Sequence, residues 1–255
     1  DSVQDGSLGF GDLDNDGDLD LVVNGANSGR TSKVYHNTNS ILANVQNLTE
    51  LDYSSLNLFD YDLDGKIDIS QFGKNGDVFS WAFKIYNNSF IEQNSITGQT
   101  YGSINSLKLN DKNYILSTGT QNDAASGALS KLYLINNFTL SEQQTLSKRY
   151  YSTAATADFD NDGDLDIVIG GSYTADSVYL TDVYKWNGTE FINDQNLTGL
   201  RDGSFSIGDI NNDGLIDLII AGFNTSDNFV KFYINNGSRF VDRGNYSIMP
   251  INNGA

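Results

Sequence analysis

The stretch Asp12-Leu13-Asp14-Asn15-Asp16-Gly17-Asp18-Leu19-Asp20 is an acidic loop, and the aliphatic run Leu21-Val22-Val23 follows it directly. Acidic residues around a glycine are typical of a turn, whereas consecutive aliphatic residues favour a buried strand. The pattern D-x-[DN]-x-D-G-x-[LI]-D returns three more times, at residues 60–68, 158–166 and 209–217. We therefore expect the same loop-and-strand unit at several places along the chain.

The loops belong to a repeat of about fifty residues. A pair of small residues opens each unit, and the second members of successive pairs are 48, 48, 50, 51 and 51 residues apart. Five residues after each of the first five pairs comes an acidic loop or, in the third repeat, Lys108. The pairs are Gly6-Ser7, Ser54-Ser55, Gly102-Ser103, Ser152-Thr153, Gly203-Ser204 and Gly254-Ala255.

Each repeat predicts four short strands, which at about 40–50 residues per unit is typical of a propeller blade. Because one blade cannot bury both of its faces, neighbouring blades must pack on it. We therefore predict an all-β fold, a β-propeller of about five four-stranded blades with the acidic loop between the first and second strands. Residues 1–255 would form a single array with repeats near 6–53, 54–101, 102–151, 152–202 and 203–253. The sequence begins and ends at the same phase, which suits a closed five-bladed ring, part of a larger ring or a segment of a longer array.

The acidic loops carry the ligand types of a calcium site. Side-chain oxygens at the first, third and fifth positions can converge on one point, the glycine at the sixth permits the turn, the carbonyl at the seventh can contribute, and the last Asp closes the shell. Flexible oxygen coordination suits Ca²⁺ better than Mg²⁺, and a chain with no Cys and one His argues against Zn²⁺. The candidate positions are Asp12, Asp14, Asp16, Asp18 and Asp20; Asp60, Asp62, Asp64, Lys66 and Asp68; Asp158, Asp160, Asp162, Asp164 and Asp166; and Asp209, Asn211, Asp213, Leu215 and Asp217.

Two alternatives to a calcium site of this kind fit the loops less well. An EF-hand needs a bidentate Glu at the twelfth position and flanking helices, but that position holds Val23, Gln71, Ile169 and Ile220. Asp-Gly turns without metal are the second alternative, and four copies in register argue against them because clustered carboxylates repel one another. We therefore expect about four structural Ca²⁺ ions, which would change the formal charge from −18 to −10.

The third repeat departs from the pattern. Lys108, Asn110 and Lys112 stand where the first three ligands are expected. A lysine ammonium in that place would replace the ion electrostatically, so we expect no metal in this repeat.

The net charge of −18 limits the classes of partner. The charge is concentrated, because the four loops hold 17 of the 33 acidic residues. A field of this sign repels nucleic acid and anionic membranes. No apolar run is long enough to span a bilayer and no signal-peptide pattern is present, so we expect a soluble chain without membrane insertion, its targeting segment removed or left out.

The loops and the strands that follow them resemble the FG-GAP repeats of integrin α-subunit propellers. The fifty-residue unit, with its Tyr-x-Asn-Asn-Gly-Ser-x-Phe hairpin at residues 233–240, is still more similar to the VCBS repeats of microbial and algal surface proteins. The resemblance implies a propeller with calcium in the loop between the first and second strands of a blade. It also implies an extracellular or cell-surface (secreted) protein that serves adhesion, glycan recognition or assembly.

Eight N-x-[ST] sequons make glycosylation a further expectation. Asn87, Asn137, Asn187 and Asn236 fall at the same turn of four successive repeats, 50, 50 and 49 residues apart, and that turn should be exposed to solvent. Ordinary hairpin chemistry accounts for asparagine in such turns equally well. The other candidates are Asn47, Asn196, Asn224 and Asn245.

The residues discriminate between three classes of function. Some five-bladed propellers are glycosidases with two carboxylates on the axis, but the inner strands, taken as starting at Ser7 and its counterparts, have no acid before the loop. The single histidine, His36, lies in a predicted third strand, where a structural role is favoured. We therefore expect no enzyme, and we predict a binding module for an extracellular protein or glycan. Trp81, Trp186 and tyrosines can stack on sugars in such a module, although propeller cores also use aromatic residues and a core role is favoured. The alternative is a structural glycoprotein that assembles with copies of itself into a fibre.

Overall fold

The computed structural model describes residues 3–26, 29–76, 81–122, 124–174, 178–224 and 227–245. This part of the chain contains β-strands, one short 3-10 turn at Ala125–Gly127 and no α-helix, which confirms the predicted all-β class. None of its helical segments is long and apolar enough to cross a membrane. The strands are β1 (Gln4–Gly11), β2 (Asp20–Ala26), β3 (Arg30–Thr38), β4 (Ile41–Phe59), β5 (Asp68–Lys74), β6 (Trp81–Tyr86), β7 (Glu92–Thr97), β8 (Ile104–Leu109), β9 (Lys112–Thr120), β10 (Ala128–Asn136), β11 (Thr139–Thr145), β12 (Tyr150–Ala157), β13 (Asp166–Thr174), β14 (Val178–Trp186), β15 (Phe191–Leu197), β16 (Arg201–Gly208), β17 (Asp217–Phe223), β18 (Asn228–Asn235) and β19 (Phe240–Asn245).

The strands form one seven-stranded and three four-stranded antiparallel sheets. The larger sheet runs from β1 to β7 in chain order, and the others comprise β8–β11, β12–β15 and β16–β19. Strand β4 pairs with β3 through residues 41–51 and with β5 through residues 52–59. The larger sheet therefore consists of two four-stranded units that share one long strand. We number the resulting units 1 to 5 along the chain.

The units pack face to face, and the hydrophobic core lies between them. In β2, Val22 is fully buried against unit 2, whereas its neighbours Leu21 and Val23 point to the other side, as alternation along a strand requires. Separate apolar clusters join units 1 and 2, units 2 and 3, units 3 and 4, and units 4 and 5. The first strand of each unit also contacts the first strand of the next, but within the described residues β16 makes no comparable contact with β1. The described residues therefore form a row of packed units in which no closure into a ring is observed.

A backbone irregularity marks the start of each first strand. The residue two before Ser7 or its counterpart has a left-handed conformation in every unit, and the ladder is bulged there in units 1, 2, 4 and 5. Strands β1 and β16, and the part of β4 that pairs with β5, consequently begin three residues earlier than the sequence pattern predicted. The statement that no inner strand has an acid is therefore wrong for Asp5, Asp52 and Asp202. The left-handed residues are Asp5, Tyr53, Tyr101, Tyr151 and Asp202, with φ of 50°, 46°, 52°, 48° and 47°.

Unit 3 has no acidic loop because its first two strands are joined by a tight hairpin. Leu109 pairs directly with Lys112, and the two residues between them, Asn110 and Asp111, have φ of 49° and 59°. These angles are those of a type I′ turn, which suits Asn and Asp. The expectation that a lysine ammonium stands in for an ion here is wrong, since Lys108 lies in β8 and its ammonium is 3.4 Å from the Asp111 carboxylate.

Candidate metal centres

The four acidic loops share one backbone conformation. The sixth residue of each is a glycine with positive φ, as at Gly17 (92°) and Gly163 (96°). The fourth residue is also left-handed, with φ of 60° at Asn15, 59° at Asn161 and 59° at Asn212. Asparagine and glycine adopt this region at least cost, so the sequence of the loops predisposes them to curl. The second loop has Leu63 at the fourth position instead, with φ of 65°.

The first aspartate organises each loop through backbone N–H groups. In the first loop the Asp12 carboxylate accepts hydrogen bonds from the N–H of Asp16 at 3.1 Å and of Gly17 at 3.1 Å. The same pair of bonds forms in the other three loops, from residues four and five positions further on. The fifth residue accepts the N–H of the seventh at 2.9 Å in every loop. The carboxylates are therefore held on the concave side of the turn, where a cation would lie.

The last aspartate of the loop joins the loop to the sheet. Asp217 is fully buried, and its carboxylate accepts the N–H of Ile210 at 2.9 Å and the N–H of Asn235, at the end of β18, at 2.7 Å. Asp20 and Asp166 each accept the corresponding two N–H groups in their own units. A carboxylate has about four lone-pair sites, so two hydrogen bonds leave capacity for a metal.

The second loop differs in a way that points to a ligand. The Asp68 carboxylate accepts the N–H of Tyr61 at 2.8 Å through Oδ2, while its Oδ1 is buried and has no hydrogen-bond partner in the described part of the chain. Burial, opposed by the bond from Tyr61 and reinforced by the charges of neighbouring loop carboxylates, raises the pKa of Asp68 to about 7. Burial likewise raises the pKa of Asp166 to about 6. A cation in the loop would satisfy the unpartnered oxygen and favour the charged carboxylate.

Three of the loops bring carboxylate oxygens together closely enough for a shared ion. In each of the triads the oxygens lie within 4.8 Å of one another: Asp12, Asp14 and Asp16; Asp60, Asp62 and Asp68; and Asp158, Asp160 and Asp166. The fourth loop has Asn211 at its third position, where the amide N–H donates to Asp213 at 2.9 Å. An all-oxygen set on a curled backbone fits Ca²⁺.

The remaining predicted positions have different roles in the loops. The N–H groups of Asp18, Lys66, Asp164 and Leu215, all at the seventh position, donate to the fifth-position carboxylate, and the backbone carbonyl of this position can bind a metal. The Asp64 carboxylate also accepts the Asn88 amide at 2.8 Å. The fifth-position Asp162 and the first-position Asp209 accept backbone N–H groups as their counterparts do.

The third strand adds groups to the loops that the sequence pattern did not predict. His36 in β3 lies with its Nδ1 3.2 Å from Asp14, and a triad of Asp14, Asp20 and His36 meets the same 4.8 Å criterion. Lys185 occupies the same place in unit 4, with its ammonium 3.4 Å from Asp160. Both contact the third loop position, but the spacing from that position is 22 residues for His36 and 25 for Lys185, so the pairing of the strands and not the spacing identifies them.

The four periodic sequons lie at the turns between the third and fourth strands. Asn137, Asn187 and Asn236 are exposed, and Asn87 is half-buried. The side-chain oxygens of Asn87, Asn187 and Asn236 accept N–H groups from residues two to four positions further on. These are Asx turns, so turn chemistry explains the asparagines without glycosylation. Of the others, Asn47 and Asn196 are exposed, Asn224 is half-buried next to residues outside the described ranges, and the side chain of Asn245 lies outside them too.

The aromatic residues occupy both core and surface positions. Trp186 is 6% exposed and packs on Phe191 with ring centroids 4.9 Å apart, so it is not available to stack on a sugar. The side chain of Trp81 lies outside the described residues. Half-buried tyrosines instead form a row across units 2 to 4, with centroids 4.7 Å apart for Tyr53 and Tyr101 and 4.8 Å apart for Tyr101 and Tyr151. The Arg201 guanidinium continues the row 6.0 Å from the Tyr151 ring.

Comparisons with known proteins agree with this architecture. The family model described as an FG-GAP-like repeat matches residues 158–220, from the acidic loop of unit 4 to β17 of unit 5. The crystal structure of the biofilm matrix protein Bap1 of V. cholerae is similar over 92% of this chain, with a TM-score of 0.54 at 10% sequence identity. The chain spans 38% of that protein's length, so the likeness concerns the fold. No curated protein matches the chain. Residues 158–220 of this all-β chain thus match the FG-GAP-like repeat.

Proposed function

We propose that the chain is a non-catalytic, extracellular β-propeller array of about five blades, stabilised by calcium in its four acidic loops, which binds a glycan or protein ligand in adhesion. The observation that carries the proposal is the second loop, where three carboxylates converge and a buried oxygen of Asp68 has no described hydrogen-bond partner. The FG-GAP-like match and the fold likeness to a biofilm matrix protein support an extracellular, adhesive role.

Calcium titration tests the metal part of the proposal. Calorimetry should count about four ions, and each loop should contribute about 2.7 kcal/mol at a free calcium concentration 100 times its Kd. For a chain of this size that is a rise in Tm of about 5–10 °C per occupied loop. Asp60→Asn should remove one ion from the count. Asp111→Asn is the matched control, since its carboxylate is 98% exposed and lies in the hairpin of unit 3.

Two outcomes of the titration and the melting experiment would contradict the proposal. If no ion binds, or if chelator leaves the melting temperature unchanged, the loops are turns held by their own hydrogen bonds. The proposal of calcium stabilisation then fails.

The tyrosine row is the surface at which we propose that the ligand binds. Tyr53, Tyr101 and Tyr151 occupy left-handed positions where a bulky side chain costs about 1–2 kcal/mol each. Mutual stacking offsets part of that cost, at about 0.5–1.5 kcal/mol per pair. The row lies at the start of the inner strands and the acidic loops at their end, which separates the two by about 20 Å. Ligand contact and calcium binding would therefore occupy opposite ends of the units.

Glycan-array binding tests the ligand part. Tyr101→Asn removes the central ring and places an asparagine, which tolerates the left-handed backbone, so the fold should be kept. We expect binding to fall at least about tenfold, because ring stacking is a main contribution to sugar affinity. Tyr173→Asn, at a tyrosine that is 51% exposed in β13, is the matched control. Equal binding by wild type and Tyr101→Asn would exclude the tyrosine row.

A second candidate function, a structural unit that assembles with copies of itself, is favoured by one specific observation. The units pack on one another through four apolar clusters of the same kind, so the described chain is built by repeating one interface.

A further inference from the structure

We propose that the first acidic loop and strand β3 together form a site for a divalent transition-metal ion of the zinc type, with Asp14, Asp20 and His36 as its ligands. The inference goes beyond the calcium sites of the proposed function, because it names a different ion for one of the four loops. It rests on that function in one respect, which is that the first loop holds a cation. His36 is the only histidine of the chain, so no other loop can offer an imidazole ligand.

Three side chains from the loop and two strands meet at this position. The potential ligand atoms of Asp14, Asp20 and His36 lie within 4.8 Å of one another. The Nδ1 atom of His36 is 3.2 Å from a carboxylate oxygen of Asp14. Two ligands at tetrahedral positions around Zn²⁺, each about 2.0–2.1 Å from the metal, lie about 3.3 Å apart. The histidine and Asp14 therefore already have the spacing of two ligands of one ion.

The carboxylates of the first loop are grouped differently from those of units 2 and 4. In units 2 and 4, the first, third and last aspartates of the loop converge. In unit 1, the first, third and fifth aspartates converge, and the third and last form a second triad with His36. Asp14 belongs to both triads. The loop of unit 1 therefore offers a mixed nitrogen and oxygen site where the loops of units 2 and 4 offer carboxylates.

Backbone N–H groups fix the orientation of Asp20. Its side chain is fully buried, with Oδ2 accepting the N–H of Leu13 at 2.8 Å and Oδ1 accepting the N–H of Asn37 at 2.9 Å. Carboxylates that bind metals are commonly held by outer hydrogen bonds of this kind, and lone pairs remain for the ion. Asn37 directly follows His36, so the bond that holds the carboxylate also holds the strand that carries the ring.

Packing orients the imidazole of His36. Its ring centroid is 5.9 Å from that of Phe90, and the side chain is 25% exposed. The Nε2 atom is buried and has no hydrogen-bond partner among the described residues, whereas Nδ1 faces Asp14. The nitrogen that can bind an ion is therefore the one directed into the loop.

The donor set favours a transition metal at this point. Imidazole nitrogen suits Zn²⁺, Cu²⁺ and Ni²⁺, whereas Ca²⁺ takes oxygen ligands. Zinc sites with three protein ligands keep a fourth position for water. The chain has no cysteine, but Zn²⁺ also binds histidine nitrogen and aspartate oxygen. The single histidine argued against zinc in the sequence, and the pairing of strands β2 and β3 places it next to two carboxylates.

Unit 4 provides the comparison that separates a ligand from a counter-charge. Lys185 stands at the place of His36, because each follows the tyrosine that pairs with the first residue of the second strand after the loop aspartate. Its ammonium lies 3.4 Å from the carboxylate of Asp160. An ammonium has no lone pair for a metal, so it can neutralise the carboxylate but cannot share an ion with it. If His36 were only a counter-charge, lysine could replace it without loss.

Zinc binding in excess calcium, measured by equilibrium dialysis and atomic absorption, tests the proposal. The 255-residue chain should bind one zinc ion, because calcium fills the all-oxygen loops and competes poorly for an imidazole. His36→Lys copies unit 4 and should weaken zinc binding at least about tenfold, since even the outer partners of metal ligands contribute about 10–100-fold. Asp14→Asn should weaken it as well. Asp160→Asn, at the same loop position of unit 4, is the matched control and should still bind one zinc ion.

The reciprocal change, Lys185→His, should raise the count to two zinc ions, because it places an imidazole beside Asp160. No zinc on the wild type, equal zinc binding by His36→Lys, or a count that stays at one in Lys185→His would overturn the proposal. The calcium titration reports separately on the proposed function. One zinc ion that depends on His36, without any calcium, would overturn only the calcium sites, whereas about four calcium ions without zinc would overturn only this inference.

Discussion

Replacing the last aspartate of an acidic loop should separate its structural role from its metal-binding role. In Asp217→Asn, only one of the two side-chain heteroatoms can accept a hydrogen bond, while two N–H groups, the part-buried one of Ile210 and the buried one of Asn235, donate to the carboxylate. A buried donor without a partner costs about 1–3 kcal/mol. At about 2–4 °C per kcal/mol for a chain of this size, the melting temperature in chelator should fall by about 2–12 °C.

Asp68→Asn should behave differently in the same buffer. Only the N–H of Tyr61 requires an acceptor there, and the asparagine oxygen can supply it. The amide nitrogen would replace the oxygen without a described partner and would remove one negative charge from a crowded loop. We therefore expect the melting temperature in chelator to stay unchanged or to rise, while calorimetry in calcium counts one ion fewer.

Thermal unfolding followed by circular dichroism, in chelator and in excess calcium, measures both effects. The reasoning requires a difference between the two variants in chelator, because both change Asp to Asn at the same loop position. An equal fall in both, or a larger fall in Asp68→Asn, would refute the assignment of the two hydrogen bonds as the cause.

Three further changes have expected outcomes. Leu63→Asn should raise the melting temperature by about 1–3 °C, since asparagine relieves the left-handed backbone at φ 65°; a decrease would contradict this. Gly199→Ala should destabilise strongly in denaturant titration, because its Cβ would lie 1.9 Å from a backbone oxygen, whereas Gly208→Ala, with no atom within 4 Å, should be nearly neutral. The hydrogen bond from Lys231 lowers the pKa of Asp242, so this group stabilises the fold above the ordinary carboxyl pKa and the stabilisation is lost as pH falls through the lowered value. Asp242→Asn should therefore remove a small part of the acid sensitivity and change stability near neutral pH by less than about 1 kcal/mol, and a larger effect at neutral pH would show that the pair is more than a surface contact.

The local sequence pattern was sufficient to predict the repeat and the conformation of the acidic loops. The glycine at the sixth position and the alternating aspartates specify a curled turn whose bonds form within nine residues, as the bonds from Asp16 and Gly17 to Asp12 show. The aliphatic runs after the loops predicted β-strands for the same reason. Their side chains alternate between two faces of the sheet, as the buried Val22 shows. These features depend on short-range sterics and hydrogen bonds, which short stretches of sequence encode.

Contacts between residues that are distant in sequence could not be predicted from the local pattern. His36 lies 22 positions after Asp14, and only the pairing of β2 with β3 brings its ring beside that carboxylate. The spacing of the third repeat suggested a degenerate loop, but pairing of Leu109 with Lys112 makes a two-residue turn the better solution. The sequence left open whether Trp186 lies in the core or at the surface, and its packing with Phe191 places it in the core.

The sequence by itself determined that this chain is a repeat of four-stranded β units with acidic, oxygen-rich loops. Only the tertiary structure decided which carboxylate oxygen of Asp68 lacks a described partner and how the tyrosines align into a row. The reason is physical: loop and strand propensities act between residues a few positions apart. Burial and side-chain stacking depend instead on neighbours about fifty residues away, whose relative placement follows from how the units pack on one another.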